Sequence, residues 1–202
     1  FGVSPEQVIF TSSGTEANNL AIQGIALAAL PGANKTIATT STEHPSVKET
    51  VRFTQKWGFN PVEMDVDRQG LVSTSTLENT LSQSLLLLSF HLVNNVTGAI
   101  LPVDAIAQKA KSLSPGTWIH VDAIQAFGKL PTPRFQNGVD LVSISAHKIG
   151  GPKGIGALII LNPKLLKKDF SPVIQGGGQE GGFRSGTQNP ALIAGFKIAA
   201  QI

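Results

Sequence analysis

The sequence predicts an α/β fold in which helices are layered on a mostly parallel sheet, and three observations carry that expectation. Strand-type and helix-type segments alternate along all 202 residues, with no repeat of fixed period and no low-complexity linker; parallel strands joined by crossovers produce that pattern. The run Ser84-Leu-Leu-Leu-Leu-Ser-Phe90 is far too short to span a bilayer and suits a strand buried on both faces. Polar or glycine-rich clusters recur where strands should end, the edge at which open parallel sheets bind ligands.

Taken in order, Val8-Ile-Phe10 reads as the first strand. Ser12-Ser13-Gly14-Thr15 follows, and then a helix with Ala17, Leu20, Ala21 and Gly24 on one face. The turn is either an ordinary Ser/Thr cap or a phosphate site, because it sets free backbone N–H groups and a positive helix end beside a hydroxyl. Lys35 to Thr39 is the next strand, and Glu43-His44-Pro45 opens a second helix with proline near its first position. His44 therefore sits where a strand's carboxyl end meets a helix, as a structural imidazole or as a site residue. Asn60 to Met64 reads as a strand, Asp67-Arg-Gln-Gly70 as a turn, and Ser75 to Leu81 as a short capped helix, all three structural. The strand Leu85 to Leu92 reaches the loop Asn94-Asn95-Val-Thr-Gly98, in which Asn95-Val-Thr97 also spells a glycosylation sequon. Asp104 to Leu113 is a helix, and Trp118 to Val121, Asp140 to Ser143 and Gly156 to Leu161 are strands. The glycines of Gln175 to Gly182 argue against regular structure, leaving a surface linker or a loop pressed against another backbone.

Length and an apolar fraction of 41% fit one soluble domain with a sizeable core. The formal charge of +3 comes partly from Lys164, Lys167 and Lys168, a local cluster that reads as a solvated helix face and not as a nucleic-acid stripe. With no cysteine in the chain, disulfides and thiolate metal sites are excluded, and no metal is expected. No membrane segment or targeting signal is read, so a cytoplasmic location is expected. The chain opens on Phe1 and closes inside the apolar-periodic run Ala191 to Ala200. Both ends are expected to be cut from a larger unit, with Leu192, Ile193, Phe196 and Ile198 left uncovered.

Two segments carry the chemistry. In Asp140-Leu-Val-Ser-Ile-Ser-Ala-His-Lys148, a strand runs into a lysine that precedes Gly150, Gly151, Gly154 and Gly156. Such a lysine is either an ordinary surface residue at a strand end or, desolvated, an amine that reacts with carbonyls. In Trp118-Ile-His-Val-Asp122-Ala-Ile-Gln125, a strand ends in a carboxylate with an amide one helical turn later. A buried aspartate needs a donor or a cation, and a ring-nitrogen cation is one such partner.

Ser145-Ala-His-Lys148, His120-Val-Asp122-Ala-Ile-Gln125, Thr42-Glu-His44 and Arg184-Ser-Gly-Thr187 occur in that family's order and resemble four motifs of the class V aminotransferase fold. The likeness is to cysteine desulfurases and the similar selenocysteine lyases in particular, and it runs along essentially the whole chain. It implies the large domain of a fold-type-I enzyme dependent on pyridoxal 5′-phosphate (PLP). By resemblance, Lys148 anchors the cofactor covalently and Asp122 faces its ring nitrogen. His44 stacks on the ring, Gln125 donates to its phenolic oxygen, and Asn95 contacts cofactor or substrate. Gly14, Thr15, Ser145 and His147 hold the phosphate, while Thr187 reaches the phosphate of a neighbouring subunit, which implies a homodimer. An amino-acid substrate, L-cysteine or a relative, and a sulfur-acceptor protein are implied too, as is a role in iron-sulfur cluster assembly; nucleic acid and membrane are not. The family's cysteine nucleophile and its carboxylate-binding arginine lie beyond the arginine-glycine-threonine loop, in a region this chain does not contain. Val96 stands where desulfurases commonly carry an acidic residue. That departure keeps open another class V enzyme, such as a selenocysteine lyase or an aminotransferase, and a non-catalytic relative.

Overall fold

In the computed structural model, which describes residues 1–30, 35–82, 85–131, 135, 138–166 and 169–202, seven strands share one sheet. They are β1 (Val8–Thr11), β2 (Thr36–Thr40), β3 (Asn60–Met64), β4 (Leu85–His91), β5 (Trp118–Asp122), β6 (Leu141–Ser145) and β7 (Gly156–Ile160). Their order across the sheet is β1-β7-β6-β5-β4-β2-β3. All neighbours pair in parallel except β7, which is antiparallel to both β1 and β6. One reversed strand thus makes the sheet mixed, and the other six point the same way.

The helices are α1 (Gly14–Ala28), α2 (Pro45–Phe53), α3 (Thr74–Leu81), α4 (Val103–Leu113) and α5 (Pro190–Ala199). Their starts follow local chemistry. Ser13 and Ser73 accept the Glu16 and Thr76 amides, Asn189 accepts the Leu192 amide, and Pro45 and Pro190 occupy first turns where no amide proton is needed. The two faces of the sheet carry separate apolar layers. Ala17, Ile22 and Ile25 of α1 and Val47 and Val51 of α2 pack with Ile37, Leu87, Leu141 and Leu158. Leu77 and Leu81 of α3, Ile106 and Ala110 of α4 and Phe196 of α5 pack with Ala38, Leu88, Val121 and Val142 on the other face. Neighbours in one strand, such as Leu87 and Leu88, go to opposite layers because strand side chains alternate.

Several expectations need adjustment. Phe196 is not left uncovered: it is 5% exposed and meets Phe127 edge to face at 6.3 Å between centroids, whereas Ile198 is 59% exposed. Asp140 lies just before β6 instead of within it. Its buried carboxylate accepts Lys111 Nζ at 2.7 Å, the Ile119 amide at 2.8 Å and Asn162 Nδ2 at 2.7 Å, so it ties the foot of the strand to α4 and β5. Strict alternation also fails after β5, since no α-helix joins β5 to β6 or β6 to β7 among the described residues. Lys164 falls in the 3-10 turn Pro163–Leu166, while Ser84, Lys167 and Lys168 lie outside the described residues. The glycine-rich stretch contains only the 3-10 turn Glu180–Gly182, and Glu180 Oε2 accepts the Phe10 amide at 2.8 Å, which pins this loop to β1.

Gly156 opens β7 in register with Thr11 on one side and Ser145 on the other. A Cβ there would stand 2.7 Å from Ser13 C, 2.9 Å from Gly14 N and 2.9 Å from Ile144 O, all backbone atoms that cannot rotate away. Gly156→Ala should therefore destabilise the fold by about 1–3 kcal/mol and disturb the Ser13-Gly14 turn. Denaturant unfolding of the variant checks this, and an unchanged midpoint would contradict it.

Candidate active site

The six co-directional strands end at one edge of the sheet, and five of them deliver expected residues to a cleft of about 250 Å³. Gly14 and Thr15 follow β1, His44 follows β2, Asn95 follows β4, Asp122 ends β5 with Gln125 just after it, and His147 and Lys148 follow β6. Ser145 lies behind the cleft wall, 1% exposed, with its Oγ 2.9 Å from His147 Nδ1. Thr187 is not brought to the cleft of its own chain; it lines a separate depression with Ser12, Gly154 and Arg184.

Asp122 is the buried anion of the site. Its Oδ1 accepts the Ile124 amide at 2.9 Å and its Oδ2 accepts Asn18 Nδ2 at 2.8 Å. Burial pushes the carboxyl above its usual range, the Ile124 and Asn18 donors and the nearby His44 pull it down, and the Glu43 charge pushes it up. A cation placed against this group would offset the cost of burying its charge.

Lys148 is half-buried in the 3-10 turn Ala146–Ile149, within the connection between antiparallel β6 and β7. Gly150, at φ 80°, ends that turn in the left-handed region, and the Gly151 amide closes back on Ala146 O at 2.9 Å. A Cβ on Gly151 would meet that same carbonyl at 2.9 Å. The lysine is therefore carried on a short backbone loop with little freedom. Partial burial, together with the ammonium groups of Lys148, Lys153 and Lys129, holds the His147 imidazole below its usual range.

The turn after β1 aims the amino end of the 15-residue α1 at the cleft, with Ser13 as its cap. A Cβ on Gly14 would run into Ile124 Cδ1, so the turn lies close against the loop after β5 and a larger residue would require the Ile124 side chain to move. Glu16, on the same first turn, accepts the Ser12 amide at 2.7 Å and Arg184 Nε at 2.7 Å, which fastens the arginine-serine-glycine-threonine segment to the turn. Burial alone would raise the Glu16 carboxyl, but Arg184 and Ser12 bring it below its usual range. Gln125 Oε1 accepts Lys129 Nζ at 2.7 Å, leaving its Nε2 donors for the cleft.

Sequence reasoning missed Asn18, Ser46 and His91. Asn18 follows Gly14 by one helical turn, a spacing that places it on the face looking at the cleft. Ser46 caps within the first turn of α2. His91 has no sequence signal, since it meets Asp122 only through the register of β4 on β5. Its Nδ1 lies 2.6 Å from Glu43 Oε1, which also accepts the His91 amide at 2.9 Å and Thr40 Oγ1 at 2.7 Å. His91 Nε2 is buried without a partner among the described residues, and the residue lines the cleft. His120, by contrast, does not enter the cleft. It is fully buried between Ser89 Oγ at 2.8 Å and Ser143 Oγ at 2.9 Å.

The residues present fit PLP by the chemistry of the donor set. They supply a helix amino end with free amides for a phosphate, a buried carboxylate for a ring nitrogen, and an amine for a carbonyl. The family model for class V aminotransferases matches residues 1–202. The chain is 41% identical over 198 residues to the mitochondrial cysteine desulfurase of Candida maltosa, covering 98% of this chain and 40% of that protein. It is 40% identical over 201 residues to the cysteine desulfurase IscS of Dictyoglomus turgidum, covering all of this chain and 49% of that one. Among solved structures, a NifS-like protein superposes with a TM-score of 0.91 at 38% identity, over 99% of this chain and 54% of that chain. SspA in complex with cysteine gives 0.90 at 34% identity, over 99% and 56%. The chain thus spans about half the length of these relatives or somewhat less.

Desolvation holds the His120 imidazole at about 3, against about 6.5 in an unfolded chain. Above pH 6.5 neither state binds that proton and His120 contributes no pH dependence. From there down to about pH 3 the unfolded chain binds a proton that the folded chain excludes, so stability falls by about 1.4 kcal/mol per pH unit from this residue. Denaturant melts of wild type and His120→Gln across pH 7 to 4 should show a shallower acid limb in the variant. Parallel limbs would mean that His120 is not held neutral.

Proposed function

The chain belongs to the class V aminotransferase family, and on that premise we propose that its cleft is the PLP site of a cysteine desulfurase, which takes sulfur from L-cysteine and leaves alanine. The observation that carries this reading is the meeting of Lys148 and the buried Asp122 in one cleft beside the amino end of α1. The names of the relatives support the substrate, since they are cysteine desulfurases and one solved relative is described in complex with cysteine.

PLP, when bound, supplies an electron sink for charge developing at an amino acid's α-carbon. The chain's own groups do the rest. Asp122 holds a proton on the ring nitrogen by offering a buried counter-charge. Lys148 would hold the cofactor through Nζ, and its amine is a group in the cleft able to take and return a proton. Gln125 would donate from Nε2 toward the ring oxygen, and the Gly14 and Thr15 amides with His147 would hold the phosphate, Ser145 acting from behind the cleft wall through its contact with His147 Nδ1. His44 covers the ring face, and Asn95, exposed on the rim, meets cofactor or substrate.

Sulfur transfer needs a thiolate, and none of the 202 residues is a cysteine. The accepting thiol is therefore external to this sequence, on the rest of the enzyme or on a sulfur-acceptor protein. Thr187, which lines a depression apart from its own cleft on the segment that Arg184 ties to Glu16, would reach the cleft of a second copy in a homodimer. Val96, 84% exposed next to Asn95, favours a second reading: a class V enzyme acting on a different amino acid, such as a selenocysteine lyase or an aminotransferase.

Borohydride reduction after incubation with PLP should add one pyridoxyl group, and peptide mass mapping should place it on Lys148. An adduct on Lys153 or Lys129 would sink the assignment. The chain with PLP and L-cysteine, assayed for alanine and sulfide, should give no more than free PLP does. Alanine well above that blank would overturn the thiol requirement.

A further inference from the structure

His44 and Asp122 reach the cleft from different strands, and two residues outside every motif join them. Asn18, fully buried on α1, donates from one Nδ2 to Asp122 Oδ2 at 2.8 Å and to Ser46 Oγ at 2.9 Å. Ser46 Oγ is in turn 2.7 Å from His44 Nδ1, and the Ser46 amide points at the same nitrogen from 3.1 Å.

The proton directions along this chain of contacts follow from its two ends: the Ser46 amide can only donate to His44 Nδ1, and the Ile124 amide and Asn18 Nδ2 favour the ionised form of Asp122. Asp122, as a carboxylate, can only accept, so Asn18 must turn its NH2 toward it, even though this leaves Asn18 Oδ1 buried without a partner among the described residues. The opposite amide orientation would set an oxygen against the carboxylate. With the second Nδ2 proton on Ser46 Oγ, the Ser46 hydroxyl proton is free to point at His44 Nδ1. The Ser46 amide is a first-turn helix donor with no intrahelical acceptor, and it also needs Nδ1 as a lone pair. Both donors are satisfied only when the neutral His44 ring carries its proton on Nε2, away from Ser46.

We propose that Asn18 and Ser46 are positioning residues that lock the His44 imidazole in its Nε2–H tautomer and couple that tautomer to the charge on Asp122. The proposal rests on the reading of the cleft as a PLP site with His44 over the ring. It adds that His44 is presented there as a proton donor, and that the group on the ring's face responds to the group at its nitrogen. Other charged or titratable groups around the cleft are Glu43 paired with His91, His147 and Lys148. None of them lies within hydrogen-bonding distance of His44 Nδ1, so the relay is the direct link.

The test is ¹⁵N NMR of the imidazoles in the cofactor-free chain at a pH where His44 is neutral. The chain has four histidines, and His44→Gln assigns the resonance. Wild type should show a pyrrole-type Nε2 and a hydrogen-bonded pyridine-type Nδ1 on His44, with both Asn18 side-chain amide protons protected from exchange. Ser46→Ala should shift Nδ1 toward its unbonded position and lose the protection of one Asn18 proton, and Ser46→Thr should restore both. Asp122→Asn removes the charge that orients Asn18 and should shift His44 Nδ1 as well, across two intervening side chains. A wild-type ring protonated on Nδ1, or a His44 spectrum unmoved by Ser46→Ala or by Asp122→Asn, overturns the proposal. Because no cofactor is present, these outcomes are independent of the borohydride mapping that tests the PLP reading.

Discussion

A carboxylate taken out of water at the end of a central strand is the constraint to which the rest of the site answers. Asp122 lies in the middle of the sheet, 6% exposed, with one backbone amide and one side-chain amide as its donors among the described residues. Such a charge is costly unless its surroundings compensate for it. The compensation recruits the loop after β5 through the Ile124 amide, α1 through Asn18, and the start of α2 through His44. The parallel sheet matters because it brings these elements to one edge, where chain ends of successive strands stand side by side.

The same edge holds a second buried acid. Glu43 is 4% exposed and lies close enough for its charge to raise Asp122. Two like charges in a low-dielectric wall repel strongly, and the His91 ring against Glu43 Oε1 is the arrangement that moderates this repulsion. His91 thus has a structural reason to face the cleft, whatever it meets there. His120 shows the contrasting case, a histidine in the same motif as Asp122 whose two nitrogens are consumed by Ser89 and Ser143 inside the sheet.

Backbone proximity is the other half of the design. Gly14, Gly151 and Gly156 each stand where a Cβ would strike a neighbour, and all three border the turn after β1 or the loop that carries Lys148. Removing side chains at these points lets the phosphate-type turn, the loop after β5 and the lysine loop close on one cavity. The reversal of β7 serves the same end, since it returns the chain along β6 through a short connection that holds Lys148 at the edge.

By itself the sequence determined the layered α/β class, most strand and helix positions, and the set of motif residues that line the cleft, from Gly14 to Lys148. These are local matters: caps, proline positions, alternation and residue spacing act between near neighbours, so they are legible one segment at a time. It misplaced what depends on distant partners, as with Phe196, and with Asp140, held by α4 and β5 just outside its strand. Only the tertiary structure decided that Asn18 meets Asp122 across 104 positions and that Glu43 meets His91 across 48. The physical reason is that a buried polar group takes whatever partner strand register and helix packing place within reach, and neither is written in the spacing of any single motif.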